Sequence, residues 1–179
     1  MAKELQLYSL YEIKEKLGAE TVPHIIENNE VEKHGADEKT RRIEDFMKRE
    51  MQDSNDANDS NRIVSHIIFD QDDKTLGFFS HYIKKIRLPK DADVCNSIEV
   101  FYVACLARFG GISKEELDVN DILKLAFGVF YNVRELTGGV STVVLDTDNE
   151  KLKNLYIKYG FTQIYNHDNN LFLLQMEMS

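Results

Sequence analysis

The segment from Ile98 to Ala107 places the tightest limit on the fold. It is apolar at nearly every position, and Glu99 is its one charged residue. A strand with one face in solvent would carry a polar residue at every second position. Because this segment is apolar on both faces, it is predicted to be a central strand that is covered on each side. The sequence therefore predicts an α/β sheet with helices packed on both faces.

A strand–helix–strand unit follows from this central strand. Residues Asn120 to Leu136 carry apolar side chains at helical spacing, and Gly138 ends the predicted helix. Val140 to Leu145 is again β-branched and apolar, which predicts another strand. Two strands joined by a helix in this way pair in parallel through a right-handed crossover. A parallel unit is therefore expected at the centre of the sheet.

Antiparallel hairpins are predicted on either side of this unit, so the sheet as a whole is expected to be mixed and mostly antiparallel. The first hairpin joins Ile63–Phe69 to Gly77–Ile83 through a turn at Asp70 to Lys74. The remaining predicted elements are a helix capped by Ser9 and Glu12 and ended by Gly18, a helix from Asp37 to Met51, a polar loop from Asp53 to Asn61, a helix from Asn149 to Tyr159, and a closing hairpin of Phe161 to Tyr165 with Leu171 to Met178.

Bulk properties exclude several classes of protein. The length of 179 residues predicts one domain over residues 1–179, and no apolar run is long enough to cross a bilayer. The net charge of −9 disfavours broad binding to phosphate backbones. Cys95 and Cys105 form no CxxC pair, and the five histidines show no ligand spacing, so no metal is predicted. With no export signal at the amino terminus, we expect a cytoplasmic protein.

Residues 149–161 are similar to a motif of the GNAT superfamily of acyl-CoA-dependent N-acetyltransferases. The family pattern is N-x-x-A-x-x-L-Y-x-x-x-G-F, and it is matched here by Asn149, Leu155, Tyr156, Gly160 and Phe161. Leu152 replaces the alanine of the pattern. A shorter stretch, residues 77–80 (Gly-Phe-Phe-Ser), resembles a hairpin strand of the branch that contains toxin-type acetyltransferases. The resemblance implies a GNAT fold and acetyl-CoA as cosubstrate.

The turn after the central strand departs from the family. There the family has Q/R-x-x-G-x-G/A, whose backbone N–H groups and following helix terminus hold the CoA pyrophosphate. In the corresponding segment, Arg108–Asp121, the two glycines come too early and acidic residues crowd the expected phosphate position. Arg108 and Lys114 offset part of that negative charge. The acidic residues are Glu115, Glu116, Asp118 and Asp121.

The resemblance assigns roles to particular residues. Tyr156 matches the family's proton donor to the departing thiolate, a task suited to a phenol, which is protonated at neutral pH. Packing of the helix on the sheet is the alternative role for Tyr156. Asn149 matches a position that contacts the pantetheine arm, and it is also a good helix N-cap. Cys105, Leu106 and Ala107, with Arg108 after them, correspond to the end of the central strand, where pantetheine amides pair with peptide groups.

Glu99 and His81 each have two alternative roles that follow from the chemistry of their side chains. Glu99 either deprotonates an ammonium substrate or lies at the solvated end of its strand. His81 either lines the acceptor site or is a half-exposed residue of the sheet. Cys105 is expected in the core rather than as a nucleophile, because no histidine is placed to activate it.

The expected activity is acetyl transfer to a primary amine. Candidate acceptors are a small amine, a protein amino group or the amino acid of a charged tRNA. The acidic chain disfavours tRNA, although Lys84, Lys85, Arg87 and Lys90 form a local basic cluster. A homodimer is possible by analogy with the superfamily. The alternative function is that of a GNAT-fold protein that binds a ligand or a protein without catalysis, and it is motivated by the acidic Arg108–Asp121 segment.

Overall fold

The computed structural model describes residues 3–30, 45, 49, 63–87, 97–147, 149–166 and 172–177. Its helices and strands, numbered in chain order, are β1 (Gln6–Ser9), α1 (Leu10–Leu17), α2 (Thr21–Asn28), β2 (Ile63–Phe69), β3 (Thr75–Arg87), β4 (Ser97–Arg108), α3 (Val119–Thr137), β5 (Thr142–Thr147), α4 (Glu150–Lys158), β6 (Thr162–Asn166) and β7 (Phe172–Glu177). The predicted helix from Asp37 to Met51 lies almost wholly outside the described residues, although Asp45 and Arg49 are helical. The predicted loop from Asp53 to Asn61 and Cys95 also lie outside them.

Within the described ranges, seven strands form one sheet in the order β1-β2-β3-β4-β5-β7-β6. β4 and β5 are parallel and are connected by α3, as the strand–helix–strand pattern predicts. The pairs β1–β2, β5–β7 and β6–β7 are antiparallel. The predicted mixed sheet with a central parallel unit is therefore confirmed.

The chain forms two compact units. The first comprises Met1–His81 and Cys105–Phe127, and the second comprises Tyr82–Ala104 and Gly128–Ser179. A single domain over residues 1–179 stays a prediction. In the part of the chain that the structure describes, no helix is long and apolar enough to span a membrane.

The amino-terminal helix of the first unit begins where the sequence predicts. The Glu12 N–H donates to Ser9 Oγ (3.2 Å), and the Ser9 N–H donates to the Glu12 carboxylate (2.7 Å). This reciprocal capping box satisfies two N–H groups that would otherwise lack an intrahelical partner. Gly18, with φ of +96°, ends the helix, and its N–H donates to the carbonyl of Lys14.

Two elements next to α1 are missing from the sequence-based prediction. β1 has only four residues and pairs with the C-terminal part of β2, from His66 to Phe69. It ends at Ser9, which also caps α1. α2 contains Pro23 at its third position, where the missing N–H breaks no helical bond. The helix buries Val22, Ile25 and Ile26, and this packing holds it although its N-cap residue makes no side-chain capping bond.

The β2–β3 hairpin has the predicted turn at Asp70 to Lys74. The Asp70 N–H donates to the Lys74 carbonyl (3.0 Å), and Asp70 Oδ1 accepts from the N–H groups of Asp72 and Lys74. Asp73 has φ of +60°, a left-handed conformation that aspartate tolerates better than most residues. β2 begins and ends at the predicted residues, Ile63 and Phe69.

A stack of three rings lies between β2 and β3. The His66 ring lies 4.9 Å from the Phe79 ring and 5.2 Å from the His81 ring, centroid to centroid. Only 8% of His66 and 5% of His81 is exposed. The expectation that His81 is a half-exposed sheet residue is therefore wrong, because the sheet face on which it lies is covered. Burial lowers the pKa of His66 to about 4, and burial together with the neighbouring His66 lowers the pKa of His81 to about 3.

The second unit has a buried layer across β3, β4 and β5. Ile86, Val100, Tyr102 and Val144 form one cluster, and Ile164 of β6 packs against it. Asn149, the predicted start of a helix, is the N-cap of α4, and the chain turns into β6 at Gly160, which has φ of +94°. α3 ends at Gly138, also as predicted, where the N–H of the glycine donates to the carbonyl of Arg134.

Gly77 lies in the first unit at a position that has no room for a side chain. A Cβ built there would lie 2.5 Å from the Ala107 carbonyl oxygen and 2.8 Å from Leu117 Cδ2. The backbone oxygen cannot move away without disturbing the β3–β4 pairing. Gly128, inside α3, offers a contrast, because a Cβ there meets nothing within 4 Å.

We expect Gly77→Ala to lower the free energy of unfolding by about 2 kcal/mol or more through overpacking. Gly128→Ala should leave it unchanged or raise it by up to about 1 kcal/mol, because alanine favours a helix interior. Urea unfolding of both variants measures the two effects. Equal stability of the Gly77→Ala variant and the original chain would contradict the close packing of β3 on β4.

The histidine pair predicts a loss of stability in weak acid. In the unfolded chain each ring takes up a proton near pH 6.5, whereas in the folded chain the two stay neutral down to about pH 4 and about pH 3. Between pH 6.5 and 4 the unfolded state therefore binds more protons, and the free energy of unfolding falls as the pH falls. The expected loss is roughly 3 kcal/mol per ring, measured by urea unfolding across this range.

The double variant His66→Phe, His81→Phe is the control for this loss. It keeps three stacked rings but removes both titrating groups, so its free energy of unfolding should change much less between pH 6.5 and 4. A variant of the exposed His24 should keep the full pH dependence. If the double variant lost as much stability as the original chain, the acid sensitivity would have another origin.

Candidate active site

The parallel pairing of β4 with β5 covers only part of each strand. The register pairs Phe101 with Val143, Tyr102 with Val144 and Val103 with Leu145. Each strand continues beyond the last pair, β4 to Arg108 and β5 to Thr147. The end of this ladder is the place where the resemblance puts the thioester of the donor.

A tyrosine–aspartate pair lies at the end of the ladder. Tyr102 is paired with Val144, so Asp146, two residues further on, projects from the same face of the sheet. The Tyr102 hydroxyl donates a hydrogen bond to Asp146 Oδ2. Burial and the Asp146 carboxylate both raise the pKa of Tyr102, so the phenol stays protonated at neutral pH.

Two residues of β3 contact the ring of Tyr102. The Tyr82 ring lies 5.1 Å from the Tyr102 ring, and Lys84 Nζ lies 4.9 Å from the centre of the Tyr102 ring. The ammonium is thus held by the aromatic face. Sequence reasoning singled out Glu99 as the charge on β4 and overlooked Asp146, although a carboxylate at the end of an apolar strand is a comparable signal.

Glu99 is not brought together with this pair. It lies four residues before the last ladder residue Val103, roughly 13 Å along the strand. Its side chain projects from the face opposite to Tyr102, because the two positions differ by an odd number. The carboxylate is exposed and lies 3.5 Å from the Lys85 ammonium. Of the predicted basic cluster, Lys90 and the side chain of Arg87 lie outside the described residues.

Tyr156 is fixed by the end of α4. It is 4% exposed, and its ring meets Phe161 edge-on at 6.0 Å between centroids. Its carbonyl accepts from the N–H groups of Tyr159 (2.9 Å) and Phe161 (3.2 Å). The ring thus packs against the turn between α4 and β6, and this packing fixes the backbone of Tyr156.

Asn149 is the N-cap of α4. Its Oδ1 accepts from the N–H groups of Lys151 (2.8 Å) and Leu152 (3.3 Å), and its own N–H donates to Thr147 Oγ1 (3.2 Å). The capping role predicted for this residue is confirmed. Contact with a pantetheine arm stays a prediction.

The four β4 residues that are predicted to bind the donor lie in the first unit. Cys105 and Leu106 are half-buried, and Ala107 is buried against Gly77. Arg108 is 8% exposed, and its guanidinium donates to the Leu117 carbonyl (3.3 Å). The charge of Arg108 is therefore directed into the protein.

In the segment Arg108–Asp121, several backbone N–H groups donate to acceptors within the protein. The Phe109 N–H donates to the Leu76 carbonyl (2.9 Å) and the Gly110 N–H to the Glu30 carbonyl (2.6 Å). Further along, Ser113 and Glu116 satisfy each other's N–H groups, as Asp118 and Asp121 do at the start of α3. Three carboxylates, those of Glu116, Asp118 and Asp121, thus accept backbone N–H groups at the place where the family holds phosphate.

One concave groove lies in the first unit, with a volume of about 480 Å³. It is bounded by α1, α2 and the β2–β3 turn, and Lys16 Nζ lies 4.3 Å from the centre of the Tyr8 ring within it. None of the predicted site residues lines this groove. Across the described ranges, no group of three or more histidine, cysteine, aspartate or glutamate residues is arranged to hold a metal ion.

The sequence matches no family model and no curated protein. Solved structures do match. AtaT complexed with acetyl-methionyl-tRNAfMet is 14% identical, with 95% of this chain and 94% of that chain covered and a TM-score of 0.59. A tyrosine-to-phenylalanine variant of AtaT, bound to the C-terminus of the antitoxin AtaR and to acetyl-CoA, is 13% identical over 95% and 92%, with a TM-score of 0.58.

A third match is a putative acetyltransferase of the GNAT family from Desulfovibrio desulfuricans. It is 14% identical, covers 98% of this chain and 99% of that chain, and has a TM-score of 0.58. Identity this low carries the fold and not the chemistry. The order of strands, the short parallel ladder and these likenesses agree, and this chain has the GNAT fold.

Proposed function

We propose that this chain is an N-acetyltransferase that moves an acetyl group from acetyl-CoA to a primary amine. The observation that supports this most is the β4–β5 ladder of a GNAT fold, which ends at Val103 and Leu145 while both strands continue. The likeness to an AtaT variant solved with acetyl-CoA supports the choice of donor.

The donor arm is proposed to bind along the end of β4. Peptide groups of Cys105, Leu106 and Ala107 pair with the pantetheine amides in the manner of an added strand. Arg108 contributes its peptide group, because its guanidinium is already bonded to Leu117. Asn149 contributes its side-chain amide nitrogen, since its Oδ1 serves the helix cap.

The reaction is direct transfer. The nitrogen of the substrate amine attacks the thioester carbonyl carbon, the carbon–sulfur bond breaks, and the Tyr156 hydroxyl donates its proton to the departing sulfur. The proton lost by the amine passes to water, with Glu99 as the protein group predicted to assist. The ion pair of Glu99 with Lys85 and its distance from the end of the ladder favour water as the first acceptor.

The acceptor is proposed to be a small amine or a protein amino group. AtaT is described with acetyl-methionyl-tRNAfMet, which makes a charged tRNA a third candidate. The net charge of −9 and the neutralisation of Lys85 by Glu99 count against that candidate. A protein partner or a second copy of the chain is compatible with the fold.

Tyr156→Phe tests the proton donor. We expect the rate of thiol release from acetyl-CoA, measured across a panel of primary amines, to fall by about 100-fold or more, because proton donation to the leaving group is lost. Tyr159→Phe is the matched control, since it removes the hydroxyl of a half-buried tyrosine at the C-cap of the same helix, three residues away. Unchanged thermal unfolding would show that both variants fold. An unchanged rate in Tyr156→Phe would remove this residue from the mechanism.

The alternative is a GNAT-fold module without catalysis, and the observation that favours it is the self-capped Arg108–Asp121 segment. Thermal unfolding with acetyl-CoA separates the two functions. An enzyme should be stabilised by about 2.7 kcal/mol at a concentration one hundred times the dissociation constant. Absence of stabilisation at millimolar acetyl-CoA would contradict the proposed enzyme and leave the binding module.

A further inference from the structure

The segment Arg108–Asp121 corresponds to the part of a GNAT protein that holds the pyrophosphate of CoA. Such a site needs backbone N–H groups directed at the ligand and a positive local potential. Contacts within the first unit decide whether this segment offers either of them.

Several N–H groups of this segment already donate to acceptors within the protein. The Gly110 N–H, at the first glycine, donates to Glu30 at 2.6 Å, and a Cβ on Gly110 would lie 3.4 Å from the same carbonyl oxygen. The Ile112 N–H donates to the Phe109 carbonyl (3.3 Å), and the Leu117 N–H donates to the Ser113 carbonyl (3.1 Å). A phosphate at the first glycine would have to displace a backbone bond to Glu30, two residues beyond the end of α2.

The start of α3 is capped by carboxylates. The Asp121 N–H donates to Asp118 Oδ1 (2.8 Å), and the Asp118 N–H donates to Asp121 Oδ2 (3.1 Å). This is a capping box made of two acids, and it places two negative groups on the positive end of the helix dipole. The helix end therefore already has the anions that it would otherwise attract.

Two lysines from outside the segment pair with its acidic residues. Lys3 Nζ lies 2.5 Å from Asp121 Oδ2, and Lys74 Nζ lies 2.6 Å from Glu116 Oε1. The hydrogen bond from Lys74, followed by those with Ser113, lowers the pKa of Glu116 to about 2. Although burial opposes it, Lys3 and the Asp118 N–H hold the pKa of Asp121 below its usual range. These carboxylates are thus ionised at neutral pH, with their partners in place.

We propose that the Arg108–Asp121 segment is closed to phosphate, and that the donor is recognised through its acyl-pantetheine arm, with little contribution from the nucleotide half of CoA. This inference rests on the proposed function, because it concerns the same donor. It assigns the donor class as pantetheine thioesters in general, of which acetyl-CoA is one.

Calorimetric titration of the full chain tests this without knowledge of the acceptor. We expect CoA and pantetheine to bind with dissociation constants within about threefold of each other, and 3′,5′-ADP not to compete with either. A pyrophosphate cradle with two charge-assisted hydrogen bonds would favour CoA by about 100-fold or more. A preference for CoA above about tenfold, or competition by 3′,5′-ADP, would overturn the inference.

Lys114→Ala provides an independent check, because Lys114 is the exposed lysine of the segment and its loss should not disturb the fold. The dissociation constant of CoA should change by less than about twofold, whereas loss of a phosphate contact would raise it about tenfold. The outcomes distinguish the two proposals. If neither CoA nor pantetheine binds, the proposed function fails; if CoA binds far more tightly than pantetheine, the function stands and the closed segment does not.

Discussion

The pairing between β4 and β5 covers only three residue pairs, and the proposed chemistry depends on where it ends. Parallel strands cannot be joined by a tight turn, so α3 must carry the chain back before β5 begins. The buried layer of Val100, Tyr102 and Val144 holds the paired part together. Beyond Val103 the strands no longer share that register, and Tyr102 with Asp146 marks the boundary. A fold that kept both strands paired to their ends would have no edge to offer to a pantetheine arm.

Backbone groups that leave a sheet must still find partners, and the Arg108–Asp121 segment shows how this chain meets that requirement. A ligand phosphate can accept from such N–H groups, but here a carbonyl and acidic side chains accept from them instead. All of these bonds lie within the first unit. They stabilise the turn into α3 and, by the same contacts, reduce what a phosphate could gain there.

The parts of the fold that the sequence predicts well are those with a local cause. Ser9 with Glu12 and Asn149 act as caps because their side chains reach N–H groups within three residues. β2 has the predicted bounds because the apolar run stops at Asp70, which forms the turn. In each case the deciding contact lies within a few residues along the chain, so the pattern alone contains it.

The parts that the sequence does not predict are decided by contacts between distant segments. β1 exists because Gln6 to Ser9 find an edge on β2, which no property of those four residues shows. His81 is buried because Phe79 and His66 cover it, and Asp146 gains a role only when the register sets it beside Tyr102. The site residues taken from the resemblance are predicted only in part. Their positions follow from the motif, but their partners depend on the sheet.

Tyr156 combines both kinds of constraint. Its backbone is fixed locally, by the turn in which its carbonyl accepts from Tyr159 and Phe161 before Gly160 leads into β6. Its ring is fixed by edge-on packing against Phe161. A proton donor held by the fold needs no reorganisation when a thiolate forms, and such preorganisation is what makes a single hydroxyl effective. The packing role and the proposed catalytic role of Tyr156 are therefore complementary, because the first supplies the rigidity that the second requires.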